Sequence, residues 1–151
     1  MRIAVVVFFL LISFSFGNVS WYSLKDGLKK AKEENKPIVI YITSKHCQYC
    51  KKMDRTTFQD KQVVDYLEKH FIPIKVEKSS KDGLEVRKIY GYVGTPTFHF
   101  LTPDGKKIKT RFGAWKPDEF LGILKYFAEG HYKKINMTEY FMKNWGGRKN
   151  E

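Results

Sequence analysis

Cysteine is scarce in this 151-residue chain: there are two, Cys47 and Cys50, with two residues between them. A framework of several disulfides is therefore excluded. One bridge closing so short a loop restrains the unfolded chain little, because that benefit grows with loop length. The pair has to be explained by reactivity. There is no second Cys-x-x-Cys, and a structural zinc site generally needs four protein ligands. His46 adjoins Cys47, but adjacency gives poor chelate geometry, so no metal is expected. Long hydrophobic runs are also missing. The stretch from Ile3 to Ile12 is shorter than the about 20 apolar residues that a bilayer span requires. Acidic residues are few, 16 against 28 basic ones, for a net charge of +12. The basic residues are spread along the chain without an Arg-rich cluster or a stripe interleaved with aromatics, so no nucleic-acid partner is expected. Attraction to an anionic surface or to acidic proteins is the milder consequence, and most of the charge reads as a solvated face. No internal repeat or low-complexity segment is present.

What is there is a globular composition, 42% hydrophobic and 16% aromatic, at a length that suits one domain. Arg2, the apolar run to Ile12, and Ser13-Phe14-Ser15-Phe16-Gly17 have the arrangement of a secretory signal peptide over residues 1–17. One positive charge precedes a short apolar segment, and small residues at Ser15 and Gly17 mark a cleavage site. The mature chain would then be exported, periplasmic or secreted, and would not span a membrane.

Hydrophobic spacing predicts the order of elements. Ser23 to Lys36 is a helix, with Ser23 and Asp26 making a box-like start. The run from Pro37 to Thr43 is β-branched and aromatic throughout, as in a strand buried on both faces. Asp60 caps a second helix with Val63, Val64, Leu67 and His70 inward. Phe71 to Val76 is a strand, although Pro73 removes one ladder donor. Glu77 to Gly83 reads as a loop and Leu84 to Tyr90 as a short helix stopped at Gly91. Thr97–Leu101 and Lys107–Phe112 form a hairpin through Thr102-Pro103-Asp104-Gly105. Pro117 opens a last helix reaching Gly130. Asn18–Tyr22 could add an edge strand. Asn136 and Glu139 could start a helix with Met137, Tyr140, Phe141 and Trp145 on one side. The expected fold class is α/β, a mixed four- to five-stranded sheet with helices on both faces.

A Cys-x-x-Cys between a buried strand and a helix has an electrostatic consequence. The first cysteine meets the unpaired N–H groups of the helix N-terminus, which favour an anion. The thiolate attacks disulfides, so Cys47 is the expected nucleophile, aided by Lys45, His46, Lys51 and Lys52. Cys50, one turn further in, is the expected resolving thiol.

The run Tyr90-Gly91-Tyr92-Val93-Gly94-Thr95-Pro96-Thr97 resembles the thioredoxin segment that carries a cis-proline, and Phe112-Gly113-Ala114 continues the resemblance. Together with the cysteine pair, the chain is similar to the thioredoxin superfamily, over residues 18–130 as a thioredoxin fold, with 131–151 as a C-terminal helical extension. The resemblance implies that Pro96 is cis beside Cys47 and that the Thr95 backbone pairs with an extended substrate. It implies protein thiol and disulfide substrates, a membrane-bound electron donor, a monomer, and no cofactor beyond the Cys47–Cys50 disulfide. Departures are His46 in place of Trp, Gln48-Tyr49 in place of Gly-Pro, and Tyr41 where a buried acid usually accepts the Cys50 proton. Glu77 or water could replace that acceptor. The Cys-x-Tyr-Cys form resembles exported bacterial thioredoxin-like proteins. A reductase is expected, since the Pro-His dipeptide of strong exported oxidases is absent. A disulfide-donating oxidase or isomerase and a redox-inert binding module are the alternatives. His99 reads as a neutral, hydrogen-bonded strand histidine rather than an acid–base group. Tyr49 and Trp115 read as groove walls or core.

Overall fold

A computed structural model describes residues 17–145. The signal-peptide expectation for residues 1–16 lies outside them. No helix among the described residues is long and apolar enough to cross a membrane. Six helices and four strands follow in the order α1 (Leu24–Glu34), β1 (Ile38–Thr43), α2 (Gln48–Arg55), α3 (Lys61–His70), β2 (Ile72–Glu77), α4 (Lys81–Tyr90), β3 (Thr97–Leu101), β4 (Lys107–Phe112), α5 (Pro117–Ala128) and α6 (Met137–Trp145). Short 3-10 turns at Thr57–Gln59 and His131–Lys133 join α2 to α3 and α5 to α6.

The strands form one mixed sheet in the order β2-β1-β3-β4. β1 runs parallel to β2 and antiparallel to β3, and β3 pairs antiparallel with β4. Alternation along β1 sorts the core into two layers. Val39 and Tyr41 meet Met53, Val63, Leu67, Phe98, Phe100, Phe120 and Ile123 on the side of α2, α3 and α5. Ile38, Ile40 and Ile42 meet Leu24, Ala31, Ile74 and Val86 on the side of α1 and α4. The first layer is aromatic. Tyr41 stacks on Phe98 with centroids 5.0 Å apart, and Trp21 meets Phe58 edge-on at 5.0 Å. Such pairs add about 0.5–1.5 kcal/mol each beyond burial.

Two boundaries differ from the sequence expectation. Asn18–Tyr22 is not a strand: only Tyr22 bridges β2, opposite Ile74. Tyr22 donates to Pro73 O at 2.9 Å and accepts from Lys75 N at 3.3 Å. The next rung of that ladder would need an N–H from Pro73, which has none. The chain turns instead, with Trp21 N bonded to Val19 O. Among the described residues the sheet therefore has four strands.

Helix α4 also begins three residues earlier than expected. Ser80 is its N-cap and accepts from Gly83 N at 3.0 Å. A Ser followed by a favourable first-turn Asp82 is a start signal, masked by the glycine that follows. Gly83 is there because the helix lands on the loop leaving β2. A Cβ at this position would lie 1.9 Å from Glu77 O.

That contact predicts the cost of adding one methyl. Gly83→Ala is expected to lower unfolding free energy by about 1–3 kcal/mol through overpacking against backbone. Leu84→Ala, at a 55% exposed neighbour, should stay within about 0.5 kcal/mol. Urea unfolding of both variants checks the contrast.

Candidate active site

β1 ends at Thr43, and four residues carry the chain from the buried sheet to the start of α2. Cys47 is the N-cap of that helix, in extended backbone conformation. Its sulfur accepts the backbone N–H of Cys50 at 3.1 Å. An N-cap normally offers a side-chain oxygen to the first orphan donors of the helix; at this helix, sulfur takes the role. Cys47 and Cys50 are joined in a disulfide, with Cα atoms 5.2 Å apart. Cys47 is partly exposed, whereas Cys50 is 1% exposed and part of the aromatic layer. Lys45, His46, Lys51 and Lys52 are all exposed around this turn.

Thr95 and Pro96 come to the same end of the sheet from the neighbouring strand. Thr97, the first residue of β3, pairs with Ile42 near the end of β1. The Thr95–Pro96 peptide bond is cis. Pro96 is buried, and its carbonyl accepts from Gly113 N at 3.0 Å. The Thr95 backbone makes no hydrogen bond among the described residues. Thr97 Oγ1 donates to Gly94 O at 2.6 Å and holds the turn before it. Tyr49, Val93 and Phe112 are 66%, 73% and 54% exposed. Phe112 leans on Gly94, where a Cβ would sit 2.8 Å from its ring. Trp115 is half-buried against the core, and its carbonyl accepts from Thr57 Oγ1 at 2.7 Å.

Of the residues behind the disulfide, sequence reasoning singled out Tyr41 but not Asp54 or Lys75. Tyr41 is fully buried, and its hydroxyl donates to Cys50 O at 3.4 Å. Burial pushes that phenol well above its ordinary range, and the nearby Asp54 carboxylate pushes the same way. Asp54 pairs with Lys75 Nζ at 2.9 Å. Lys75 sits 5.2 Å from the centre of the Tyr41 ring and 5.8 Å from that of Trp21. A signal for this group did exist: Lys75 is the lone cation in an apolar strand, opposite Tyr41 in register, and Asp54 follows Cys50 by one helical turn. Glu77 is engaged elsewhere, accepting from Ser79 N at 2.8 Å. Among the described residues no cluster of His, Cys, Asp and Glu could hold a metal.

His99 is enclosed in β3 and bonded at both ring nitrogens, to Thr110 Oγ1 at 2.8 Å and to Gly91 O at 3.1 Å. The carbonyl can only accept, so Nε2 carries the proton and Nδ1 accepts from Thr110. His99 thus pins the Gly91 end of the loop that leads to Pro96.

Residues 24–128 match the thioredoxin-like domain family, which covers more than half of the chain. This chain belongs to the thioredoxin-like family. A thioredoxin from Thermus thermophilus superposes with a TM-score of 0.66 at 29% identity, over 79% of this chain and 99% of that one. The disulfide bond reductase DsbH of Chlamydia pneumoniae is 25% identical over 60% of this chain and 61% of its own length. An uncharacterized protein of Caenorhabditis elegans is 30% identical over 72% of this chain, which spans only 16% of that protein. The thioredoxin-like chain is thus one part of the length of its longer curated relatives.

Two measurements follow from this geometry. The Cys50 N–H and the α2 N-terminus beside the Cys47 sulfur are groups that favour an anion, so the reduced thiol is expected to titrate below the about 8.5 of free cysteine. The pH dependence of its alkylation rate reads this value directly. Burial lowers the His99 pKa from 6.5 to about 4, with Lys107 adding to the shift and the Gly91 hydrogen bond opposing it. The unfolded chain takes up this proton at a higher pH than the folded one. Folding stability from this group is therefore complete above pH 6.5 and is lost as pH falls towards about 4. Urea midpoints across that window should fall less steeply for His99→Gln than for the parent chain.

Proposed function

We propose that this chain is an exported thiol–disulfide oxidoreductase that reduces disulfides in proteins, with Cys47 as nucleophile and Cys50 as resolving thiol. One observation carries the reading: the Cys47 sulfur caps α2 and accepts the N–H of Cys50, while Cys50 lies buried directly behind it. The cap favours sulfur as an anion where a substrate can reach it. Burial keeps the second thiol from competing for substrate and leaves it one helical turn from the bond it must cleave.

The step balances within the pair. The Cys47 thiolate attacks a substrate disulfide, forming a mixed disulfide and releasing one substrate sulfur as a thiolate, which takes up a proton. Cys50 loses its proton and attacks the Cys47 sulfur, expelling the second substrate sulfur. Two electrons pass to the substrate, and the Cys47–Cys50 disulfide remains. A membrane-bound donor then restores the dithiol. Thr95, with its backbone unpaired beside buried Pro96, offers N–H and C=O groups to an extended substrate segment. Tyr49, Val93 and Phe112 supply apolar contact beside it. A substrate held by backbone pairing and dispersion admits many sequences, which suits a monomer acting on diverse folded proteins.

Support for the reducing direction comes from the absence of a Pro-His dipeptide between the cysteines and from the name of the DsbH relative. Support for export comes from the pattern of residues 1–17. Cys47→Ser is expected to abolish reduction of a protein disulfide. Cys50→Ala should still attack and should accumulate a mixed disulfide that a thiol reductant releases, visible on non-reducing gels. Equal residual turnover in both variants without a trapped complex would refute the assignment.

A further inference from the structure

We propose that the cavity between β4 and the C-terminal extension is a docking site for an acidic polypeptide segment of a partner protein. It is distinct from the cysteine pair and does not depend on the redox reading. The cavity has a volume of about 730 Å³, within the about 300–1,000 Å³ of ligand sites. Lys109 and Arg111 line it from β4, and Lys133 and Lys134 from the turn before α6. Lys109 and Arg111 lie opposite Phe100 and Phe98 in register, so they project to the aromatic side of the sheet. The extension folds back over this side and brings its own two lysines to face them.

None of these four cations has an ion pair among the described residues. Among the described residues Glu139 is the one carboxylate lining the cavity, and Lys143 holds it at 2.7 Å. Lys133 and Lys134 are exposed and by themselves read as a solvated face. Arg111 does not. Its guanidinium is half-buried, its Nε is enclosed without an acceptor, and its Nη2 touches the Met137 sulfur. Burying an unpaired charge is costly, and a guanidinium fork is shaped for a carboxylate. The first turn of α6 adds N–H groups of the same polarity on the cavity wall, of which Asn136 Oδ1 caps that of Glu139.

The remaining lining selects a polypeptide over a small oxyanion. Ile108 and Tyr132, both partly exposed, give apolar surface between the cations above buried Tyr126 and Phe127, as acidic residues alternating with apolar ones would require. β4 is the outer strand of the sheet, with no strand paired to its far side among the described residues. An extended segment can add there by backbone pairing and send alternate side chains towards Arg111 and Lys109.

The test is titration of a synthetic peptide of alternating Glu and Val into the chain carrying its disulfide, at low and high ionic strength. The peptide is expected to bind, more weakly as salt rises, while the Gln–Val counterpart does not bind. Affinity should fall about tenfold in Arg111→Gln, which loses an enclosed charge contact, and about tenfold in the double variant Lys133→Glu, Lys134→Glu, which turns two exposed attractions into repulsions. Reduction of a small-molecule disulfide should be unchanged in both. If Arg111→Gln does not fold, the double variant decides, because both lysines are exposed. Absent binding, equal binding of the Gln–Val peptide, unchanged affinity in the variants, or full displacement by inorganic phosphate would overturn the proposal. So would capture by phosphatidylglycerol vesicles, abolished by the same substitutions, without peptide binding.

Discussion

Helix α2 starts on Cys47, so the backbone N–H that most helices direct to a Ser or Asp oxygen goes to sulfur instead. That bond depends on where the strand before it ends. β1 is buried along its length and cannot shift without exposing Ile40 or Tyr41, so the short link from Thr43 must start the helix at Cys47. Cys50 then falls inside, one turn further along. A surface loop holding the same two cysteines would expose both and stabilise neither as an anion. The asymmetry between an outer and an inner sulfur is a product of strand burial and helix geometry.

The support behind the disulfide is aromatic where a carboxyl group would otherwise stand. Tyr41 fills its position with a ring stacked on Phe98 and reaches Cys50 O through its hydroxyl. Charge is displaced to the edge of this layer, where Lys75 and Asp54 pair beside Trp21. Both are about one-third exposed or less, so their pair keeps contact with water while lying one helical turn from Cys50. At the other end of the sheet, β4 is left half-covered. The extension through α6 closes part of it with Tyr140, Phe141 and Trp145 and, among the described residues, leaves Arg111 enclosed without a carboxylate.

Much of this was legible from the residues alone. The β-branched run of β1, the caps at Ser23 and Asp60, the hairpin turn at Thr102–Gly105 and Pro117 at the start of α5 are local signals, and each acts within a few residues. Of the two misplaced boundaries, one had a distant cause and the other a near one. Tyr22 stops pairing because of Pro73, about fifty positions away in sequence. α4 keeps Gly83 inside its first turn because the backbone of Glu77 passes there. The first contact leaves no mark on the pattern of Asn18–Tyr22, and the second left a glycine that masks the start signal of Ser80 and Asp82.

The sequence by itself determined the chemistry: two cysteines at one spacing, after a strand and before a helix, and a proline in a recognisable turn. Those are properties of short segments, and short-range physics is enough to read them. Only the tertiary structure decided which groups surround that chemistry. Lys75, Asp54 and Trp21 meet behind Cys50 because β1 and β2 pair in one register, and a shift of one residue would turn Lys75 to the opposite face. Arg111 is enclosed because a helix more than twenty residues later folds back over β4. Electrostatic neighbours are set by distance in space, and distance in space is what a linear pattern does not encode.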